Sequence, residues 1–275
     1  MQLLQTQVRI GLDTPVRVLH CSDIHITRAD LRDDQRKVEL AKSRLNCFPH
    51  AEELLAFVGD TARELDIPIC CTGDLADFVS VANLEAVRAF NDEYDCFTAA
   101  GNHDFSLYVG EAWEDAAYRN QSLEKVEAAY NNNTRMSARV IGGVNFVALD
   151  NGYYLFEAEQ LAFLKAEAAR GLPVVLMLHV PLYDPALYDF ELARVPGCAY
   201  LTGVPEEKMS HYDDYRFRQQ KADAITLETM QYIAEESMIK AILTGHLHMN
   251  HIASYSDRMP QIFSGDRAAR VIEFI

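Results

Sequence analysis

Five short apolar runs in this 275-residue chain end in Asp, Asn or His. Val16–Cys21 leads through Ser22 into Asp23-Ile24-His25, and Ile67–Thr72 runs into Gly73-Asp74-Leu75-Ala76-Asp77. Cys96–Ala100 stops at Gly101-Asn102-His103-Asp104, Val174–Leu178 delivers His179, and Ile239–Thr244 delivers Gly245-His246-Leu247-His248. Imidazole and carboxylate suit borderline and hard cations such as Zn, Fe and Mn, whereas a thiolate-rich set would favour softer ones. Carboxylates can bridge two cations through their two oxygens, and an amide oxygen adds a neutral ligand. Three of the five turns open with Gly, which lets the backbone swing sharply so that the next side chain points into a site. Gly101-Asn102-His103-Asp104 alone would arise by chance in roughly one chain in a thousand of this size. With four further elements in order, coincidence is untenable.

The runs that carry these groups are continuous rather than alternating in hydrophobicity, which predicts strands buried on both faces. Val144–Leu149 is a sixth such run. Helical periods fall between them at Ala51–Leu65, Val81–Asp92, Ser122–Asn131, Glu157–Ala169 and Lys221–Glu236. Leu54, Leu55, Val58, Ala62 and Leu65 share one helical face. This alternation predicts a layered α/β fold, in which ligands bind beyond the carboxyl ends of the strands. His251–Tyr255, Gln261–Ser264 and Arg270–Ile275 follow in quick succession and read as an antiparallel meander. No repeat, low-complexity tract or flexible linker interrupts the chain, so one domain over 1–275 is the simplest organisation.

The ordered set resembles the calcineurin-like metallophosphoesterase superfamily, whose blocks are DxH, GDxxD, GNH[DE], a lone His and GHxH. All five are intact from Asp23 to His248. The resemblance implies a four-layer α/β/β/α sandwich around two mixed β-sheets, with a dinuclear metal centre at one edge. It implies that Asp23, His25 and His248 hold one divalent ion, that Asn102, His179 and His246 hold a second, and that Asp74 bridges them. His103 is then an outer-sphere catalytic residue paired with Asp104, which would fix its tautomer. Mn, Fe or Zn fits that donor set.

Two ions about 3.5–4 Å apart bind nucleophile and phosphoryl oxygens together and lower the pKa of the shared water towards 7. The implied reaction is in-line attack of a bridging hydroxide on a phosphoester. Two divalent cations outweigh Asp23, Asp74 and that hydroxide, so the site can draw an anion to a protein of net charge −16. A diester or nucleotide-type pyrophosphate is favoured because His25 is intact, while some monoester-cleaving relatives lack that residue. The alternatives are a phosphomonoesterase and a silent metal-binding scaffold of the same fold. Such scaffolds typically lose His103 or a ligand, and this chain has lost neither.

The acidic balance, 41 Asp and Glu against 25 Lys and Arg, argues against long nucleic acid and for a small phosphorylated substrate. No apolar stretch is long enough to span a bilayer, and the first residues lack the pattern of a signal peptide. Six scattered cysteines without a CxxC pair read as reduced core thiols, which points to the cytoplasm.

Two segments break the alternation. Residues 28–50, an insertion relative to the family pattern, are polar and helical in part. Residues 181–220 are dense in Tyr and acids and broken by four prolines. Segments of that kind are commonly functional or mobile. The second reads either as a solvated loop with packed tyrosines or as a substrate-covering flap whose rings stack on a base or apolar group. In the flap reading, 105–119 is the opposing wall. His20 is read as a core residue, His251 as support or surface, and Asp77 as orienting a ligand or the turn rather than binding metal.

Overall fold

The computed structural model describes residues 1–110, 113–265 and 267–275. Residues 111 and 112, within the expected opposing wall, lie outside the described residues.

The chain runs β1 (Gln2–Val8), β2 (Val16–Cys21), α1 (Gln35–Leu45), α2 (Ala51–Leu65), β3 (Ile69–Cys71), α3 (Val81–Glu93) and β4 (Cys96–Thr98). Then come α4 (Ala116–Asn120), α5 (Leu123–Glu127), β5 (Met136–Ile141), β6 (Val144–Leu149), α6 (Ala158–Ala168) and β7 (Val174–Met177). The remainder is α7 (Pro185–Arg194), α8 (Asp214–Gln220), α9 (Ala224–Glu235), β8 (Ile239–Thr244), β9 (His251–Tyr255), β10 (Met259–Phe263) and β11 (Ala268–Phe274).

One sheet has the order β1-β11-β2-β3-β4 and the other β5-β6-β7-β8-β10-β9. Both are mixed. In the first, β2, β3 and β4 are parallel while β11 runs against β2. In the second, β6, β7, β8 and β10 are parallel, with β5 and β9 antiparallel at the edges. The C-terminal strands are antiparallel to neighbours as expected, but they are shared between the sheets. The β9–β10 pair closes the second, and β11 crosses to the first.

Adjacent strand residues point to opposite faces, and here both faces are covered. Val18, Phe97, Phe146, Val175, Leu243 and Phe274 pack between the sheets. Their neighbours Leu19, Ile69 and Cys71 pack outward with Leu54 and Val58 of α2 and Val87 of α3. Val147, Leu149 and Leu176 pack outward with Leu164 of α6 and Ile233 of α9. The result is helix, sheet, sheet, helix. The helices start where side chains satisfy free backbone donors: Ser80 accepts from Asn83 N at α3, and Asp223 from Thr226 N at α9.

The two irregular segments are ordered. Residues 28–50 carry α1, whose only buried residue is Ala41. Residues 181–220 carry α7 and α8 and a small core of their own, in which Leu187, Tyr188, Leu201, Met209 and Tyr212 pack with Leu247 and Phe263. They are not a solvated loop. Two edge strands, β1 and β5, were not expected from the sequence, and both are partly exposed.

Candidate metal centre

All five motifs leave the carboxyl ends of parallel strands: three from β2, β3 and β4, two from β7 and β8. The loops lock to one another before any side chain is considered. Asp23 N and His25 N donate to the carbonyls of Gly73 and Asp74, and Gly245 N donates to that of His179. Asp23 joins the two sheets, because its carboxylate oxygens each lie 3.0 Å from the backbone N–H of His246.

Close approach explains two of the glycines. A Cβ on Gly101 would collide with Asp74 Oδ1, and one on Gly73 (φ +96°) would stand 2.8 Å from His179 Nδ1. The price of this convergence falls on the backbone of the donors themselves. Asp23, His25, Asp74, His246 and His248 all take φ between +47° and +67°. They are half of the ten non-glycine residues with positive φ among those described. Each such residue costs on the order of 1–3 kcal/mol, and such strain gathers at functional sites.

Side chains converge accordingly. Ligand atoms of Asp23, His25 and His248 lie within 4.8 Å of one another, as do those of Asp74, His179 and His246. His25, Asp74 and His103 form a third such group. Asp74 stands between the two sides, its Oδ2 3.2 Å from His179 Nε2 and 3.5 Å from His25 Nε2. Asn102 lies beside them, with its Oδ1 buried and without a hydrogen-bond partner. A buried amide oxygen without a donor calls for a cation or water there.

The outward nitrogens of His25, His179 and His246 are engaged, which fixes those rings. His25 Nδ1 meets Asp77 Oδ1 at 2.9 Å, His179 Nδ1 the carbonyl of Thr72 at 2.7 Å, and His246 Nε2 the hydroxyl of Tyr154 at 2.9 Å. The nitrogens left over face inward, His25 Nε2 to His248 Nε2 at 3.3 Å and His179 Nε2 to His246 Nδ1 at 3.1 Å.

The electrostatics point the same way. Burial lowers the pKa of His25 and His246, keeping them in the neutral form that can donate a lone pair. Burial opposes charge on His103 and His179 too, but Asp74, joined by Asp77 at His103, overcomes it and lifts them to about 10 and about 9. The same imidazoles hold the Asp74 carboxyl well below its usual range despite its burial. Asp74 thus carries negative charge in a dry place and recruits whatever positive charge is near. The donor set fits divalent cations.

One expected pairing is corrected. Asp104 does not contact the His103 ring. Its Oδ2 accepts from the backbone N–H groups of Asp74 and Gly101, and its Oδ1 from Ala76 N and the Tyr130 hydroxyl. It ties the second and third motif loops together, because its side chain turns into the protein while that of His103 turns out. Asp77 takes the expected place: its Oδ1 is 3.1 Å from His103 Nδ1, and that nitrogen also lies 2.9 Å from the Asp77 carbonyl. The orienting role read for Asp77 is therefore served twice, for His25 and His103.

Four further contributors gave no recognisable signal in the sequence. Arg44 of α1 forms a two-pronged pair with Asp77, at 2.6 and 2.8 Å. Phe48 stacks on the His25 ring at 4.0 Å with an interplanar angle of 3°. Tyr154 holds His246, and Asn151 Oδ1 accepts from His179 N and Val180 N. Only a motif spanning β6 could have flagged the last two.

A cavity of about 600 Å³ opens on Asn102, His103, His246 and His248. Its far walls are Arg194, Tyr200, Tyr215 and Arg216 from residues 181–220, with Val109, Gly110 and Glu114 opposite. Both segments expected to face the site therefore do so. A second cavity of about 340 Å³ lies beside Asp23 and His248, under Phe48 and Pro49.

The calcineurin-like phosphoesterase family profile matches residues 16–250, and the chain belongs to that family. Among solved structures, a dimetal phosphatase from Danio rerio has a TM-score of 0.50 at 13% identity, covering 91% of this chain and 87% of its own. Phosphopantetheinyl hydrolase from Mycobacterium tuberculosis has a TM-score of 0.47 at 11% identity, covering 92% and 91%. No curated protein matches the sequence. The chain is thus a metal-dependent phosphohydrolase by family, and among the described residues no helix is long and apolar enough to cross a membrane.

Proposed function

We propose that the protein is a dinuclear phosphoesterase acting on a small phosphorylated molecule, with preference for a diester or nucleotide-type pyrophosphate. Asp23, His25 and His248 would hold one ion, Asn102, His179 and His246 the other, and Asp74 both. The observation that carries this reading is the pair of donor groups meeting at Asp74, beside the partnerless oxygen of Asn102 and at the floor of an open cavity.

When bound, the pair of cations supplies positive charge for the phosphoryl oxygens and a water acidified towards neutral pH. The chain's own residues do the rest. His103, oriented by Asp77, lines the cavity and is placed to protonate the leaving oxygen or steady the developing charge. Asp104 serves the geometry by holding the Asp74 and Gly101 turns. Cavity volume suits a small ligand rather than a polymer. The reading keeps 1–275 as one domain, with 28–50 and 181–220 as segments over the site. Six unpaired cysteines are in keeping with a reducing, cytoplasmic setting.

Reconstitution with Mn, Fe or Zn tests the proposal. Two ions per chain and faster turnover of bis-aryl phosphate than of aryl monophosphate are expected. His103→Ala should keep both ions and lose on the order of 10²–10⁴ in turnover. One ion per chain would remove the dinuclear reading, and no hydrolysis with any metal would leave a scaffold.

A further inference from the structure

At least nine of the eighteen arginines of this acidic protein form ion pairs. Arg28, Arg32, Arg44, Arg63, Arg119 and Arg139 each pair with a carboxylate. Two arginines line the large cavity, and they differ. Arg194 is neutralised by the buried Glu191 and also donates to the carbonyl of Leu247. Arg216 has no carboxylate within ion-pair distance among the described residues. Its guanidinium makes one hydrogen bond, Nη1 to Gln219 Oε1 at 2.7 Å.

Arg216 is half-buried all the same, and it is held in place. Its guanidinium lies over the Tyr200 ring at 4.9 Å and the Tyr215 ring at 5.2 Å. Tyr215 is propped in turn by Trp113, with ring centroids 5.0 Å apart. The Tyr200 ring is 6.1 Å from that of His246, so Arg216 stands one aromatic ring away from the proposed metal ligands. Glu114, which lines this cavity along with Glu191, is out of ion-pair distance of Arg216 and is linked to it through Gln219, whose Nε2 donates to Glu114 Oε2 at 3.0 Å. Taking a cation partly out of water without a counter-charge is costly. A planar fork with free N–H groups, fixed by aromatic faces, is the form that recognises phosphate and carboxylate.

We propose that Arg216 is a second anion subsite: it receives a non-reacting phosphate or carboxylate of the substrate while the scissile phosphate sits at Asn102 and His246. This inference rests on the phosphohydrolase reading and deepens it. The substrate class becomes small phosphoesters bearing two separated anionic groups. Arg194, already satisfied by Glu191, does not compete for this role.

Three five-carbon phosphates that differ only at the far end (hydroxyl, carboxylate or second phosphate) separate the possibilities. Their affinities for the metal-loaded protein are measured by calorimetry and as inhibition of bis-aryl phosphate cleavage. Wild type should favour one doubly anionic probe over the hydroxyl probe by about 10–100-fold, the worth of hydrogen bonds to a charged group. Which of the two wins tells carboxylate from phosphate. Arg216→Gln should bring that ratio close to one, and Arg216→Lys should restore part of it by charge without the fork. The ratio is decisive, since a merely structural role would weaken all three probes alike. Equal binding of the three to wild type, or discrimination surviving in Arg216→Gln, overturns the subsite. If wild type neither cleaves the aryl diester nor binds the hydroxyl probe, the phosphohydrolase reading falls first and this proposal with it.

Discussion

Residues 28–50 and 181–220 approach the same cluster from different sides and treat it differently. The first presses in. Phe48 lies flat on the His25 ring, and Arg44 clamps Asp77, the carboxylate that holds His25 and His103. The second stands back: it builds its own apolar core and leaves about 600 Å³ between its arginines and tyrosines and the proposed ligands. The difference is visible in the packing. Helix α1 buries only Ala41, so a few polar and aromatic contacts with the site region fix its position. The 181–220 segment is anchored by apolar packing instead, with Leu187, Leu201 and Met209 meeting Leu247 and Phe263. One segment tightens the donors and the other leaves space in front of them.

The comparison breaks most severely at Asp77. Asp77→Ala removes the orienter of two imidazoles and strands Arg44 half-buried without its partner. Such a loss costs about 3–5 kcal/mol, and metal affinity should fall by about 10–100-fold. Denaturant unfolding and metal titration read the two effects. A stability within 1 kcal/mol of wild type would show that the Arg44–Asp77 pair contributes little to the fold.

Next in size is a matched pair of variants, one for each side. Arg44→Gln loosens Asp77 behind His25, and Tyr154→Phe removes the hydroxyl behind His246. Each should weaken the ion on its own side by roughly tenfold and spare the other. Stepwise metal binding followed by calorimetry checks this. Equal weakening of both ions by either variant would mean that the two sides act as one unit.

A change confined to acid pH tests the seam between the sheets. His20 lies fully buried between the Thr72 and Ser264 hydroxyls, and burial, aided by Arg270, lowers its pKa to about 3. Since the unfolded chain protonates His20 near its ordinary value and the folded chain does not, acid favours unfolding. The His20 contribution should be complete above pH 6.5 and be lost as pH falls from there towards 3, by no more than about 1.4 kcal/mol per pH unit. His20→Gln should flatten that part of the stability profile. An unchanged slope between pH 6.5 and 4.5 would sink the assignment.

Much of the fold was legible because local chemistry and tertiary role coincided. Strands β2, β6, β8 and β9 and helix α2 have the bounds their patterns predict. Strand β1 was missed because Gln2–Val8 is an exposed edge strand with no continuous apolar run, and β5 because its faces are half-covered. In the site, the nine residues chosen from the motifs all lie at the strand ends. The partner of His103 was misjudged because chain proximity favoured Asp104, while side-chain direction gave the contact to Asp77, 26 positions away. Phe48 and Arg44 carry no motif, and only the docking of α1 makes them neighbours of His25 and Asp77.

Sequence alone determined which donors exist, in what order, and that they end parallel strands, since Gly, Asp and His beside buried apolar runs leave few other readings. Tertiary structure decided which carboxylate meets which imidazole, which cavity arginine lacks a carboxylate partner, and how much room lies in front of Asn102. Those outcomes depend on side-chain directions and on contacts between segments far apart in the chain, and neither quantity is written in local spacing.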